Sequence, residues 1–401
     1  MERFAAPPLA DAADVALEEL RCLTHARPLA GLSATQLMGE RALYSDLNYA
    51  SGRSAGGSCR LLCTSDATVA INLPRPSDWE LIPAWLQTNT WNSAQRWEDL
   101  AGRIRNKDAQ SLIERARLLG IAASSTRDPV TASRAWEFTA AATGTARHRP
   151  RPPRVLDLST LWAGPLCAHL LSLCGADVIK VESSRRPDGA RLGNQRFYRL
   201  LNQGKRCVAL DLAQHDGQRL LRELLTHADI VIESARPRGL QQMQIHADAL
   251  LQSRPNLTWI SITGYGRGDP EGQWVAFGDD AGVAAGLSAV MRAATGDYQF
   301  AGDAVADPIT GIHAALCAWR SWLAGGSRLI SLPLAQVTAA ALLDALHRNG
   351  KPQLIQSFAR WWRQALSHDP HQGIVERRSA APVGGVGDDT AAVLAELGIA
   401  C

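Results

Sequence analysis

The most regular hydrophobic pattern of the chain lies in its second half, where short apolar runs alternate with amphipathic stretches. The apolar runs are rich in β-branched residues, and the stretches between them have the length and period of helices. The runs are RVLDLST, DVIKVES, CVALDL, DIVIES and TWISIT, and the helical stretches are residues 165–174, 216–227 and 240–251. Continuous apolar strands between helices are typical of a parallel sheet covered on both faces. The pattern therefore predicts an α/β fold.

The first 142 residues have a different pattern. Two alternating runs, CRLLCTS and ATVAINL, predict a pair of strands with Asp66 at the turn between them. Helical periodicity follows, from DWELIPAWL to LIERARLLG. We expect a small α+β domain over residues 1–142, and no catalytic cluster is predicted within it.

Composition and pattern also divide the rest of the chain. The stretch TGTARHRPRPPR, residues 143–154, is rich in Pro and Arg and has no apolar period, which indicates a linker. The sheet domain is expected over residues 155–325. Residues 326–401 are expected to form a helical segment and tail, with a possible further strand in GGSRLISLPLAQ and helices near 336–347, around Trp361 and in TAAVLAELGIA.

Composition and charge exclude several classes of protein. The net charge is only +3 over 401 residues and the basic residues are scattered, so we expect no nucleic-acid binding. The eight cysteines form no CxxC pair, so neither a metal site nor a disulfide framework is predicted. The N-terminus lacks the apolar region of a signal peptide, and no apolar run reaches about 18 residues. We expect a cytoplasmic protein without a membrane span.

Ligands of such sheets bind outside the carboxyl ends of the strands, so the loops there carry the candidate binding residues. In the first such loop, the amides that follow Gly164 can hold a phosphate or a carboxylate, but the loop lacks the GxGxxG pattern of dinucleotide sites. Arg236 and Arg238 directly follow the strand DIVIES, and Lys205 precedes the strand CVALDL, where a surface charge pair is the alternative. Together these cations indicate a polyphosphate ligand.

The segment GDAVADPITGIHAAL, residues 302–316, places Asp307 and a proline ahead of an apolar helical stretch. This is a common helix opening, with the Asp side chain as the N-cap. A carboxylate at a helix N-terminus is also favoured in its charged form, so it could serve as a nucleophile. Gly311 on the next turn would allow close approach of another backbone or a ligand. Asp303, Asp279 and Asp280 are expected to be turn and cap residues.

Six segments, taken together and in order, resemble the family III CoA-transferases, the group that includes formyl-CoA transferase and carnitine CoA-transferase. They are VLDLSTLWAGPLCAHLL, GADVIKVES, LNQGKRCVALDL, ADIVIESARPRGL, SITGYGRGDP and GDAVADPITGIHAAL. The similarity spans about residues 155–325, and VLAELGIA near the end resembles that family's C-terminal end. Several motifs in one order are more specific than any motif alone.

The resemblance implies a Rossmann-like CoA-binding domain, a smaller α+β domain and an interlinked homodimer. It also implies that the substrates are an acyl-CoA and a carboxylate, with no cofactor beyond coenzyme A as substrate. By motif position, Asp307 matches the family's catalytic aspartate. The positions that match its CoA-contacting loops are Trp162 and Ala163, Asn202 and Lys205, Ser234 and Arg236, and, beside the thioester, Thr263, Gly264 and Gly266.

The implied reaction moves CoA from a thioester to a free carboxylate through an aspartyl-CoA thioester on Asp307. The backbone amides of residues 264–266 are expected to stabilise the oxyanions of that reaction. One alternative is a CoA-ester-binding protein without turnover. The other is a racemase of the same fold, which is disfavoured because the stretch FGDDAGVAAGL lacks the expected histidine and His313 is expected to serve in packing.

Three departures from the family pattern favour testing the alternative of a non-catalytic binding protein. The small domain precedes the sheet domain in the chain, whereas in the family it follows the catalytic helix. The family's glycine-rich flap has no recognisable counterpart, and a basic residue of the family is replaced by Gln241 and Gln242.

Overall fold

The computed structural model describes residues 6–45, 47, 49–91, 96–132, 138–140, 151–367, 376–377 and 381–400. The strands in these ranges are β1 (Cys59–Cys63), β2 (Thr68–Asn72), β3 (Ala122–Ser125), β4 (Phe138–Ala140), β5 (Arg154–Asp157), β6 (Asp177–Ser183), β7 (Arg206–Leu210), β8 (Ile230–Glu233), β9 (Thr258–Thr263) and β10 (Arg328–Pro333). Residues 143–150 of the predicted linker lie outside the described ranges.

The α-helices alternate with the strands in the second half of the chain. They are α1 (Ala10–Thr24), α2 (Ala34–Gly39), α3 (Pro76–Glu80), α4 (Ile82–Leu86), α5 (Arg96–Ile104), α6 (Ala109–Leu119), α7 (Ala163–Leu173), α8 (Gln195–Asn202), α9 (His215–Thr226), α10 (Pro237–Gln242), α11 (Ala247–Ser253), α12 (Gly278–Ala284), α13 (Leu287–Thr295), α14 (Ala306–Leu323), α15 (Leu334–Asn349), α16 (Lys351–Ser367) and α17 (Thr390–Glu396). Within the described ranges, none of the helices combines the length and the apolar character that a membrane span requires.

Seven strands form one sheet in the order β4-β10-β9-β8-β5-β6-β7, in which β4 is antiparallel to β10 and the other six strands are parallel. Among the six parallel strands, the chain passes first through β5, then outward through β6 and β7. It then returns to the other side of β5 and passes through β8, β9 and β10. This is the strand order of a Rossmann-like sheet. The strand order reverses between β5 and β8, while the strands stay parallel. Ligands of such sheets bind outside the carboxyl ends of the strands at that point.

The predicted strands are confirmed. Most residues of the central strands are buried and apolar or β-branched, although β6 also buries Lys180 and Glu182. β6 and β9 have the predicted bounds, and β1 and β2 form the predicted hairpin, closed by the Thr64 amide donating to the Ala67 carbonyl at 2.8 Å. The predicted helix over 240–251 is two helices, α10 and α11, because Gln244 between them is left-handed, with a φ of 58°.

The predicted domain boundaries at residues 142 and 326 are not those of the packing. α1 lies on α14, and its Leu17 and Leu20 are fully buried in the core of the large sheet. β4 pairs with β10, which lies inside the large sheet although it follows residue 325. A separate small core is formed only by the three-stranded sheet β1-β2-β3 with α3 to α6. Local periodicity predicts an apolar face but not the surface against which that face packs.

The two faces of the large sheet have separate cores. α7, α14, α1 and α15 cover one face, and α9, α10, α11 and α17 cover the other. Ahead of α17, the Asp389 carboxylate accepts a hydrogen bond of 2.7 Å from the Cys207 amide of β7. The tail thus occupies backbone groups that an edge strand would otherwise expose.

The close packing of α7 against α14 depends on Gly311. A Cβ atom at this position would lie 2.6 Å from the Ala163 carbonyl oxygen, which is backbone and cannot move aside. We expect Gly311→Ala to lower the free energy of unfolding by about 1–3 kcal/mol, measured by urea denaturation. Gly102→Ala in α5 is the control, because nothing lies within 4 Å of its Cβ position and alanine favours the helix. Equal effects of the two substitutions would contradict this packing.

Candidate active site

Asp307 lies in the first turn of α14, but it is not the N-cap as predicted. The helix begins one residue earlier, at Ala306, and Val305 is the N-cap without a side-chain bond. The Asp307 carboxylate instead lies against Gly278, the first residue of α12, whose amide favours the charged form of the carboxyl group. A Cβ atom at Gly278 would lie 2.3 Å from Asp307 Oδ2, so only glycine allows this contact. The residue as a whole is half-buried.

Three other charged side chains face Asp307. Asp279 of α12 accepts a hydrogen bond of 3.0 Å from the Ala304 amide, and Asp303 lies just before α14. Arg41, from the 3₁₀ helix Glu40–Tyr44, binds Asp303 through two hydrogen bonds, one of them 2.6 Å from Nε to Oδ2. Asp279 and Asp303 were expected to be turn and cap residues; in the structure, Asp303 also binds Arg41, and both carboxylates lie near Asp307.

The carboxyl groups at this site are harder to ionise than ordinary ones. Burial raises the pKa of Asp307 to about 7. The positive charge of Arg41 lowers this pKa and the negative charge of Asp279 raises it further. Burial also raises the pKa of Asp279 to about 6 and that of Asp280 to about 7. The expectation that its helix would keep Asp307 readily ionised is wrong. Burial destabilises the carboxylate by more free energy than the helix N-terminus stabilises it, so the pKa rises.

The loop after β5 brings Trp162 and Ala163 to the same place. Ala163 begins α7, and its carbonyl lies against Gly311, one turn of α14 beyond Asp307. The Arg41 guanidinium lies 5.2 Å from the centre of the Trp162 ring, so one side chain joins this loop to the carboxylates. No side chain caps the start of α7, which leaves its first amides without a capping partner.

The same loop is tied to the loop after β8, on the other side of the strand reversal. The Thr160 amide donates to Ser234 Oγ at 3.0 Å, and the Leu161 amide donates to Asp188 Oδ1 at 3.0 Å. Leu161 has a left-handed φ of 70° and a 41% exposed side chain. Such a conformation costs a non-glycine residue about 1–3 kcal/mol. The sequence did not indicate Leu161, whose apolar side chain lies at the mouth of the predicted crevice.

Arg236 follows β8 at the predicted ligand edge. Its side chain is exposed, and Nη1 donates to the Gln273 carbonyl at 3.5 Å. Arg238 is also exposed. These two guanidinium groups are accessible to a phosphate, as predicted from their position after the strand.

The loop after β9 approaches the site through Gly264, where a Cβ atom would lie 2.7 Å from the Cβ of Ala276, two residues before Gly278. The Gly266 amide donates to Thr263 Oγ1 at 3.0 Å, so this amide is already paired and differs from the free oxyanion donor that was predicted. Thr263 and Gly264 are partly exposed.

Lys205 and Asn202 differ most from their predicted place. The Lys205 ammonium has no exposed surface and donates to Asp157 Oδ2 at 2.8 Å, to the Pro165 carbonyl at 3.0 Å and to Asn202 Oδ1 at 3.0 Å. Its three donors are thus used, and Asn202 is fully buried. The Lys205 side chain reaches the carboxyl end of β5 but lies buried beneath the first turn of α7, where a phosphate cannot reach it. The prediction that this ammonium contacts a phosphate is wrong, because the ammonium is fully buried.

A second buried lysine, Lys180, binds the loop that follows β5. The Lys180 ammonium donates to the Ser159 carbonyl at 2.9 Å and pairs with Asp188 Oδ2 at 2.9 Å. Burial alone would raise the pKa of Asp157, but Lys205 and Lys180 hold it below its ordinary value. These buried charges fix the shape of the loop after β5.

His313 has the packing role that was expected. Its Nδ1 lies 2.8 Å from the Ile309 carbonyl one turn earlier, and burial lowers its pKa. Among the residues that the structure describes, no three His, Cys, Asp or Glu side chains are arranged to hold a metal ion.

Comparison with known proteins shows similarity over residues 153–325. Residues 153–325 match CoA-transferase family III. A succinate–glutarate CoA-transferase of Agrobacterium fabrum is 32% identical over 218 residues, which are 48% of this chain and 54% of that protein. A formyl-CoA:oxalate CoA-transferase of Rhodopseudomonas palustris is 30% identical over 170 residues, 41% of this chain and 40% of that one. The crystal structure of a CAIB/BAIF family protein from Brucella suis is 25% identical, with a TM-score of 0.44 over 53% of this chain and 58% of that chain.

The chain spans about half the length, or less, of the relatives that it matches. The matched residues contain β5 to β9, the strand reversal and Asp307. The resemblance inferred from the six motifs is confirmed over this range, because residues 153–325 match CoA-transferase family III.

Proposed function

We propose that the chain transfers CoA from an acyl-CoA thioester to a free carboxylic acid through an aspartyl-CoA thioester on Asp307. The observation that carries this proposal is the position of Asp307, a half-buried carboxyl group next to the loop after β5, where the strand order reverses. The family of the domain and the names of its relatives support the same reaction class.

The acyl-CoA is proposed to lie across the loops after β5, β8 and β9. Arg236 and Arg238 are exposed there and can bind phosphate groups through paired N–H donors. The Trp162 and Ala163 loop, adjacent to Asp307, would then receive the pantetheine end and the thioester.

In the first half of the reaction, an Asp307 oxygen attacks the thioester carbonyl carbon. The C–S bond breaks, which gives a mixed anhydride and the CoA thiolate. The thiolate attacks the Asp307 carbonyl carbon, the donor acid leaves as its carboxylate, and an aspartyl-CoA thioester remains. No proton is gained or lost overall.

The second half reverses these steps with the acceptor. An oxygen of the acceptor carboxylate attacks the aspartyl carbon and releases the thiolate, and the thiolate attacks the acceptor carbonyl carbon of the new anhydride. The acceptor leaves as its CoA thioester and Asp307 is regenerated with one oxygen from the acceptor. Because the relatives are named for succinate, glutarate, oxalate and formate, we propose small mono- or dicarboxylic acids as the first acceptors to test.

The homodimer implied by the resemblance and the cytoplasmic location expected from the sequence are proposals of the same kind. Sedimentation equilibrium of the purified chain tests the first, and fractionation of the source cells tests the second.

The reaction is expected to depend on the ionisation of Asp307. With a pKa of about 7, the fraction of reactive carboxylate, and with it kcat/KM, rises about tenfold per pH unit below pH 7 and levels off above it. A profile of kcat/KM from pH 5 to 9 measures this limb. An acid limb near pH 4, the range of an ordinary Asp, would contradict the burial of this carboxyl.

Trapping the intermediate tests the proposed function itself. The protein is incubated with an acyl-CoA and then with hydroxylamine, and its peptides are analysed by mass spectrometry. We expect a hydroxamate at Asp307, and none in Asp307→Asn. Asp297→Asn, which changes an exposed carboxylate elsewhere, should keep the adduct at Asp307. Bound acyl-CoA without any adduct would favour the alternative of a binding protein without turnover.

A further inference from the structure

Arg41 lies where three carboxylates converge. It faces Asp303, Asp279 and Asp307, which belong to the start of α14 and to α12. All three carboxylates follow residue 150, within the matched family domain, whereas Arg41 belongs to the N-terminal segment. The site of the proposed reaction therefore contains a cation from a part of the chain in which no catalytic cluster was predicted.

The guanidinium of Arg41 is held on several sides. Its Nε and Nη2 both bind the Asp303 carboxylate, whose side chain is only 3% exposed. Its plane faces the Trp162 ring, and the backbone of Gly56 approaches so closely that a Cβ atom there would lie 3.2 Å from Nη2. Two-point binding and ring contact fix an arginine in a way that a lysine ammonium cannot reproduce.

The segment that carries Arg41 is anchored by its neighbour. Glu40 is fully buried and accepts hydrogen bonds of 2.8 and 3.0 Å from Arg377. Arg377 in turn contacts the ring nitrogen Nε2 of His169 on α7. The position of Arg41 thus follows from a buried network that joins the N-terminal segment to the helix after β5.

We propose that Arg41 is a positioning residue that balances the charge of Asp279, Asp303 and Asp307, so that Asp307 can exist as a carboxylate. The inference rests on the proposed function for its meaning, because an ionised Asp307 matters only to a nucleophile. With three carboxylates and no cation, mutual repulsion and loss of water would both keep Asp307 protonated.

The other ionisable groups near this cluster do not replace Arg41. Burial raises the pKa of Cys59 on β1 and of Tyr49, so both are neutral at pH 7. Asp280 on α12 is occupied by the Asn72 side chain at 2.9 Å and the Phe277 amide at 3.0 Å. The charges that act on Asp307 are therefore those of Arg41, Asp279 and Asp303.

The direct test is the titration of the Asp307 carboxyl by infrared difference spectroscopy, with Asp307→Asn as the reference that identifies its band. We expect Arg41→Met to raise the midpoint by about one pH unit or more, because a nearby opposite charge is lost. Asp303→Asn is expected to lower it by about one unit, because one negative neighbour is removed and Arg41 is released toward Asp307. The double substitution should return close to the parent value, and Arg41→Lys should shift less than Arg41→Met.

Arg320→Ala is the matched control, because Arg320 also joins α14 to the N-terminal segment, through Glu19, but lies at the far end of the helix. We expect no shift of the Asp307 midpoint. If Arg41→Met does not fold, the opposite shifts of Arg41→Lys and Asp303→Asn carry the test. Unchanged midpoints, or shifts of Arg41 and Asp303 variants in the same direction, would overturn the inference. The titration needs no acyl-CoA, so a failure of the proposed transfer reaction would be seen separately, as a missing hydroxamate in the parent protein.

Discussion

Asp307→Asn is expected to abolish CoA transfer without loss of the fold. The amide cannot attack a thioester, and removing the nucleophile of a covalent mechanism lowers kcat by about four orders of magnitude or more. Steady-state transfer between an acyl-CoA and a carboxylic acid measures the effect. Asp297→Asn, at an exposed position, is the control and should retain the parent rate.

The same substitution is expected to stabilise the protein at pH 8. Folding raises the pKa of Asp307 from 3.8 to about 7, so the stability that this carboxyl contributes is present below pH 4 and is lost as the pH rises through 7. The neutral amide removes that loss. Urea denaturation should show a clearly larger gain at pH 8 than at pH 5, because most of the loss occurs between pH 5 and pH 7. A variant that is inactive and also less stable at pH 8 would indicate a structural role for Asp307.

Lys205→Met is expected to lower the free energy of unfolding by about 3–5 kcal/mol, because it leaves the buried Asp157 carboxylate without its main partner. Urea denaturation at pH 7 measures the loss. Arg185→Ala is the control, since Arg185 pairs with Asp211 on the surface and such pairs contribute less than about 1 kcal/mol.

The Lys205 result also decides between two roles for this residue. A lysine that binds a phosphate of CoA would, when replaced, weaken acyl-CoA binding and leave stability unchanged. Equilibrium binding of an acyl-CoA to the folded fraction of Lys205→Met separates these cases. A variant that is as stable as the parent but binds acyl-CoA more weakly would support the phosphate contact predicted from the sequence.

The sheet could be predicted because its strands are short runs rich in apolar and β-branched residues that alternate with stretches of helical period. β6 and β9 have the predicted bounds for that reason. The short strands β3 and β4 were not predicted, because AASS and FTA have no period long enough to distinguish them from a turn. The packing of α1 onto α14 was missed because Ala13, Leu17 and Leu20 form a general apolar face that fits many surfaces.

Residues at the carboxyl ends of strands were located well, since strand order determines where those ends meet. Trp162, Ala163, Ser234 and Arg236 lie on both sides of the strand reversal. The assignment of each of them to a contact with CoA stays a prediction.

Side chains whose partners are distant in the chain were located poorly. Lys205 was predicted to be exposed because sequence does not distinguish a surface lysine from one whose carboxylate, Asp157, is 48 residues away in the chain. Arg41 was missed because its partner Asp303 lies 262 residues away. A lone arginine beside apolar residues carries no local signal, so only the folded chain reveals it.

The most direct test of a covalent role for Asp307 follows the oxygen atoms. The protein is allowed to turn over with an unlabelled acyl-CoA and an acceptor whose carboxylate carries a heavy oxygen isotope, and the peptide that contains Asp307 is then weighed. If the acceptor attacks an aspartyl-CoA thioester, one labelled oxygen is left in the Asp307 carboxyl group. Product formation with no label in that peptide would show that CoA passes directly between the two acids, and would contradict Asp307 as the nucleophile.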